Sequence, residues 1–442
     1  MIWPVLLAAS LASGSSRPAG PPLDDPAVAD SSLHRFLDSL ADSTDRYFGL
    51  VAAPPDTAGL DSVLAARLEK PWGGPSTRTR RAILPHFSFN RVDGALWGAS
   101  AALSNTGARF RVSGDAGYAT GSNRWLGGGE LMAGVRRRDL LTRLSLRGGW
   151  RTAVMDRDHD GTGLATIRAL VSGSDRQSYL GREGFSVRLG AGTPAWFGGL
   201  EYRDWVEAPL AVTTQWNLRK QPLEMPGNLG AIPGRTRSVE AEASLRWPVL
   251  PLTSQVIHEL SSRSLGSDFE FQRLRATLGG EFPVASAFSL LPQVVYGRLS
   301  GDALPQAEFY LGGSRTLRSL PSAALGGTGM ALARLDVIGA DDVLAFAHLP
   351  HPAMFPIQLG LFAATGAVWG SDPYGGPGTP GGNWPERQAW LSEAGVSLLY
   401  RPGIPDEEAY MRFNYAWPLG HDARTARFSI SYSRALDLLR PF

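Results

Sequence analysis

From Pro85 onward, apolar and polar residues alternate with a period of two. Phe110, Val112, Ala116 and Tyr118 alternate with Arg109, Arg111, Ser113 and Asp115, and Leu144, Leu146 and Trp150 with Arg143, Ser145 and Arg147. Val239, Ala241, Ala243, Leu245 and Trp247 are set against Glu240, Glu242, Ser244 and Arg246. Near the end, Met411, Phe413, Tyr415, Trp417 and Leu419 oppose Arg412 and Asn414, and Phe428, Ile430 and Tyr432 oppose Arg427, Ser429, Ser431 and Ser433. Residues two apart share one face of a strand, so each run has an apolar and a polar face. A soluble sandwich shows the same alternation in strands of about 5–6 residues. Here the runs reach nine residues or more, near the ~9–11 that a tilted strand needs to cross hydrocarbon. The polar face carries arginines and glutamates, as a wet lumen would, and Trp150, Trp247, Trp369 and Trp417 end their runs where an interfacial aromatic girdle would lie.

The expectation is therefore all-β: a transmembrane antiparallel β-barrel of about sixteen strands, an even number as single-chain bacterial barrels require. Strand starts are placed near Asn90 for the first, Gly163 for the fifth, Leu252 for the ninth and Arg427 for the last. Two interruptions, Ala208 to Arg237 and Gly301 to Met330, are too long for tight turns and are expected to be extracellular loops or lumen inserts. A charge placed at outward-facing Phe413 should be costly, and one at inward-facing Asn414 tolerated.

The N-terminal part follows other rules. Ile2 to Ala12 is an apolar run followed by small residues, too short for a bilayer helix of about 20 residues. It fits a signal peptide over residues 1–14, although no Lys or Arg precedes it. Residues 15–84 read as a periplasmic linker containing a short helical segment, Ser31 to Leu50 and Leu60 to Leu68, with Leu33, Phe36, Leu37 and Leu40 at helical spacing. A small cap or barrel plug is the other reading of this stretch. The barrel is expected over residues 85–442. Nowhere is there an apolar run long enough for a membrane helix, so any span is made of strands, which places the chain in a bacterial outer membrane with lipid as its surroundings.

Composition narrows the chemistry. The 442 residues include no cysteine, which excludes a disulfide framework, a Cys-ligated zinc and a thiol nucleophile. A net charge of +2 gives no field that points to nucleic acid. The 52 glycines and 32 prolines suit a β protein with many turns. Asp156-Arg157-Asp158-His159-Asp160-Gly161 has the spacing of a calcium loop, but Ile167 stands where the bidentate acid would be. A charged turn is the better reading, and no metal or cofactor is expected. There is no G-x-S-x-G nucleophile elbow, and the seven histidines, His86 and His351 at strand ends among them, are scattered, so no enzyme is expected.

The second interruption reads Phe309-Tyr310-Leu311-Gly312-Gly313-Ser314-Arg315-Thr316-Leu317-Arg318-Ser319-Leu320. It resembles the signature loop of the BamA-like superfamily of outer-membrane assembly and secretion barrels, in which a Gly-Gly turn leads to an Arg-Gly-aromatic tip folded into the lumen. Arg334-Leu335-Asp336 matches the following strand, Leu361 to Trp369 resembles the Phe-x-Asp-x-Gly strand after it, and Tyr410 to Leu419 and Arg427 to Leu436 resemble the two closing strands. Asn90-Arg91-Val92-Asp93-Gly94 resembles the first-strand entry. The resemblance implies that Gly312, Gly313 and Arg318 form a lumen loop motif and that client proteins, either unfolded outer-membrane proteins or secreted chains, are partners. Ser319, Leu320 and Ala364 replace the family's glycine, aromatic and aspartate, and Leu436 stands at its terminal aromatic, with Phe442 beyond. With no acid at 364, Arg318 is expected to pair with Asp336, so that losing either should free the loop equally. Residues 17–84 are too few and too helical for a POTRA module. A passive or structural barrel that keeps the fold without handling clients is therefore the alternative to assembly or translocation.

Overall fold

In the computed structural model the described residues are 79–105, 110–157, 162–218, 228–284, 288–339, 342–346, 357–375, 384–400, 409–420 and 424–434. Contacts divide the chain into Met1–Gly74 and Pro75–Phe442, and all described residues belong to the second unit. The expected signal peptide and helical segments, Leu436 and Phe442 lie outside them.

The strands of the first half are β1 (Thr79–Asn90), β2 (Gly94–Asn105), β3 (Phe110–Ala119), β4 (Arg124–Arg137), β5 (Leu140–Val154), β6 (Tyr179–Gly192), β7 (Trp196–Pro209), β8 (Gly234–Arg246) and β9 (Leu252–Ser261). They continue as β10 (Phe271–Gly280), β11 (Phe282–Val284), β12 (Phe288–Gly301), β13 (Phe309–Leu311), β14 (Leu325–Gly327) and β15 (Gly329–Gly339). The last four are β16 (Ile357–Trp369), β17 (Leu391–Tyr400), β18 (Ala409–Leu419) and β19 (Arg427–Arg434). One sheet holds seventeen of them. β11 is a three-residue continuation of β10 against the same partner, which leaves sixteen long strands among the described residues. Each pairs antiparallel with the next in chain order, as from Thr79↔Asn105 to Asn90↔Gly94. β1 and β19 each have a registered partner on one side only.

Two expectations are corrected. The strand placed near Gly163 is a helix, α1 (Thr162–Ser172). Leu164, Ile167 and Leu170 recur every three residues, and the buried Thr166 and Ala169 lie one helical turn apart, so the helical period wins. Conversely, the sheet begins at Thr79, not Asn90, with a strand that alternates poorly and contains Pro85. The Phe89↔Ala95 pair leaves the β1 edge outward at Phe89, because Ala95 exchanges its backbone bonds with Thr120 on the other side. Pro85 has the parity of Phe89, so its missing N–H falls on the unpaired edge and costs no ladder bond.

The two faces divide as the alternation requires. Leu144, Leu146, Leu200, Leu361 and Phe428 are exposed on the outside, where hydrocarbon would cover them. Trp150, Trp247 and Trp417 are exposed at strand ends, whereas Trp369 is covered by Trp384 at 5.6 Å between ring centroids. Glu240, Glu259, Arg273, Asp336, Glu393, Arg412 and Asn414 are buried on the inner face. The interior is drier than expected. Asn414 is fully buried, accepting from Ser397 Oγ at 2.7 Å and donating to Ser431 Oγ at 3.2 Å, so a charge there would not be tolerated.

The long loops gather at one end. Met155, Leu180, Ala231, Tyr310 and Ala323 form one buried cluster that joins the β5–β6, β7–β8 and β12–β15 connections. Gln306 and Ile232 exchange two hydrogen bonds of 2.9 and 3.2 Å, and the β1–β2 turn accepts at Arg91 O from Thr213 and Thr214 N–H. Outer-membrane barrels carry their longer loops outside the cell, which orients this end.

Candidate functional site

The β12–β15 connection, residues 302–328, turns back into the sheet. Gly312 and Gly313 have φ of 123° and 103°, which L side chains rarely adopt. A Cβ on Gly312 would lie 2.1 Å from Pro321 O. The turn is closed by Gly312 N–H to Thr316 Oγ1 at 2.7 Å and Gly313 N–H to Leu317 O at 3.0 Å. Phe309, Leu311, Leu317 and Leu320 pack with Phe271, Val295, Leu299, Met330, Leu332 and Ala364 of the wall. Leu320 thus fills apolar space where the resembling family has an aromatic residue. From the other side, Arg273 of β10 donates to Ala307 O at 2.9 Å and stacks on Phe309 at 4.3 Å.

The loop tip carries Arg318 to a set of charges on four consecutive strands. Arg318 Nη2 donates to Asp336 Oδ1 of β15 at 2.7 Å, and its guanidinium lies 4.1 Å from the ring centroid of Phe362 on β16. Asp336 also receives Arg334 Nε at 3.0 Å and Arg412 Nη1 of β18 at 3.2 Å. The side chains of Arg318, Asp336 and Arg412 are all nearly sealed from solvent. The acid absent at Ala364 is supplied across the ladder. Glu393 of β17 is the direct partner of Ala364, and its two oxygens accept from Arg318 N–H at 2.8 Å and Ser319 N–H at 2.6 Å. It holds the backbone of the tip, while Asp336 holds the side chain. Arg424 donates to Ser319 Oγ at 3.3 Å, and Arg427 at the start of β19 donates to Leu320 O.

Gly312, Gly313, Arg318 and Asp336 are therefore brought into one site, to which the structure adds Glu393, Arg334, Arg412 and Phe362. Glu393 carried one legible signal, a lone acid in a run of small and apolar residues, but only register sets it opposite position 364. Asp156 is buried at the end of β5, Asp158 to Gly161 lie outside the described residues, and among the described residues no three acids or histidines gather as metal ligands. His86 pairs with Gly98 on β1, and His351 lies outside the described residues.

No protein-family model matches this sequence, and no curated protein does. Among solved structures the chain is similar to BamA from Haemophilus ducreyi lacking POTRA domains 1-3, at 13% identity and a TM-score of 0.49, over 80% of this chain and 71% of that one. It is also similar to CdiB from Acinetobacter baumannii and from Escherichia coli, each 10% identical, with TM-scores of 0.44 and 0.45. Those matches cover 80% of this chain but 59% and 61% of the CdiB chains, so it spans less than two thirds of their length. The antiparallel wall of sixteen long strands, apolar outside and charged within, makes this chain an integral β-barrel protein of the outer membrane.

Proposed function

We propose that the barrel inserts or exports other proteins at the outer membrane, taking up an extended client segment at the seam between its first and last strands. The observation that carries this is the seam itself. Neighbouring long strands elsewhere in the sheet are registered over eight residues or more, whereas β1 and β19 share no registered pair. An unpaired edge offers a row of N–H and C=O groups to an incoming strand. Depleting the protein and profiling the outer-membrane proteome tests it: other barrels or a surface-exported protein should fall in abundance.

A second reading, a passive barrel, is favoured by the hydrated recesses on the β2–β7 side. One of about 330 Å³ is lined by Ser100, Arg111, Asp115, Glu130 and Arg147, and one of about 210 Å³ by Glu130, Arg143, Arg188 and Glu201. An unchanged proteome together with steady ion conductance in planar bilayers would select this reading.

A further inference from the structure

The seam is bridged by α1. Phe89 N–H, on the open edge of β1, donates to Thr166 Oγ1 at 3.1 Å. Ile430 O, on β19, accepts from Arg168 Nη2 at 3.1 Å. Residues two apart on a helix point to different sides, so α1 reaches one strand with one flank and the other strand with the opposite flank. Side-chain groups thus take the place that a strand-to-strand ladder would fill.

The helix is itself held. Leu170 O accepts from Leu218 N–H at 2.9 Å, and Trp216 of the same connection meets Phe89 edge-on at 5.9 Å. Just after α1, Asp175 accepts from Arg91 N–H at 3.0 Å, and Gln177 O from Arg91 Nη2 at 2.6 Å, which ties the segment to the β1–β2 turn. Ala165, Arg168, Asp175, Ser322 and Arg427 surround one small polar recess, so the helix, the lumen loop and the start of β19 meet there.

We infer that α1 is a latch: it closes the loop-end part of the seam by satisfying edge groups of both terminal strands, and it must withdraw before that edge can accept another strand. The latch rests on the proposed function for its purpose, but its mechanics are measurable without any client. Edge amides that lose a side-chain partner exchange with solvent at a rate set by local opening. One net hydrogen bond corresponds to roughly a two- to tenfold change in that opening.

The experiment is hydrogen–deuterium exchange on the full chain in detergent micelles, comparing wild type with Thr166→Val, Arg168→Met and the double variant. Both replacements keep much of the side-chain volume. Thr166→Val should speed exchange in the β1 segment containing Phe89 by roughly two- to tenfold, and the double variant should speed β1 and β19 together. The β5–β9 ladder should exchange as in wild type. Unchanged exchange in β1 and β19 of the double variant overturns the latch, and so does an equal rise across all strands, which would mean general destabilisation. A latch confirmed in micelles alongside an unchanged proteome on depletion would leave the seam clamp standing and remove the client reading alone.

Discussion

Neutralising Asp336 is the most informative perturbation of the lumen site. Its carboxylate faces three guanidiniums, from Arg318 at 2.7 Å, Arg334 at 3.0 Å and Arg412 at 3.2 Å. Asp336→Asn keeps the shape but leaves these three buried cations around an amide, with Glu393 engaged by backbone N–H groups. Removing one partner of a buried ion pair costs about 3–5 kcal/mol, mostly from the charge left behind. Arg318→Ala is a different perturbation. It forfeits a charged hydrogen bond worth about 1.5–3 kcal/mol and a ring contact worth about 0.5–2 kcal/mol. It also ends the repulsion of Arg318 with Arg334 and Arg412, and Asp336 keeps two partners. The two substitutions, expected from the sequence to be equivalent, should therefore differ, with Asp336→Asn the more severe. The assay is the rate at which a protease nicks residues 302–328, which follows the open population when cleavage is slow. At 1.4 kcal/mol per factor of ten, Asp336→Asn should raise nicking by roughly a hundred- to a few-thousandfold, and Arg318→Ala by about tenfold. Adding Arg318→Ala to Asp336→Asn should change little, because it removes a cation that no longer has its acid. Equal single effects, or a double effect that is their sum, would refute the three-cation hub.

Other expectations can be checked with the same protein. Phe413→Arg should destabilise by about 2–4 kcal/mol if the site lies at the bilayer midplane, and Asn414→Ala by about 1–3 kcal/mol by stranding Ser397 and Ser431. Urea unfolding in micelles measures both, and a silent Asn414→Ala would mean that water reaches this part of the interior. Glu308 is buried in the lumen loop, and burial pushes its carboxyl up to about 7. Its folded value lies above the ordinary carboxyl range, so its contribution to loop stability is full in mild acid and is lost as pH rises through about 7. Protease access to the loop should rise between pH 6 and 8 in wild type (about one unit either side of neutrality) and stay flat in Glu308→Gln. A wild-type loop indifferent to pH would show that Glu308 is ionised throughout.

The sequence by itself determined the class of fold. Alternation is a local property, and a period of two maintained for nine or more residues assigns Leu144 and Phe413 to one face and Arg143 and Asn414 to the other, whatever the rest of the chain does. The Gly312-Gly313 turn was equally legible, because only glycine accepts that backbone without strain. Arg318 and Asp336 were legible as a pair through the resemblance of the loop, since they lie close in sequence. What the tertiary structure decided depends on register, and register is not written in any one strand. Glu393 reaches the loop tip because β17 pairs with β16 so that it faces Ala364, and a slip by one residue would turn its side chain to lipid. Arg412, sixty-odd residues beyond Asp336, becomes its third cation only through curvature of the wall. The first strand was hidden because an edge strand containing Pro85 has no need of clean alternation, and α1 because a short apolar run carries both periods until packing chooses between them. Whether the first and last strands meet is decided across the whole length of the barrel, and here Thr166 and Arg168, inserted between β5 and β6, hold the ends together.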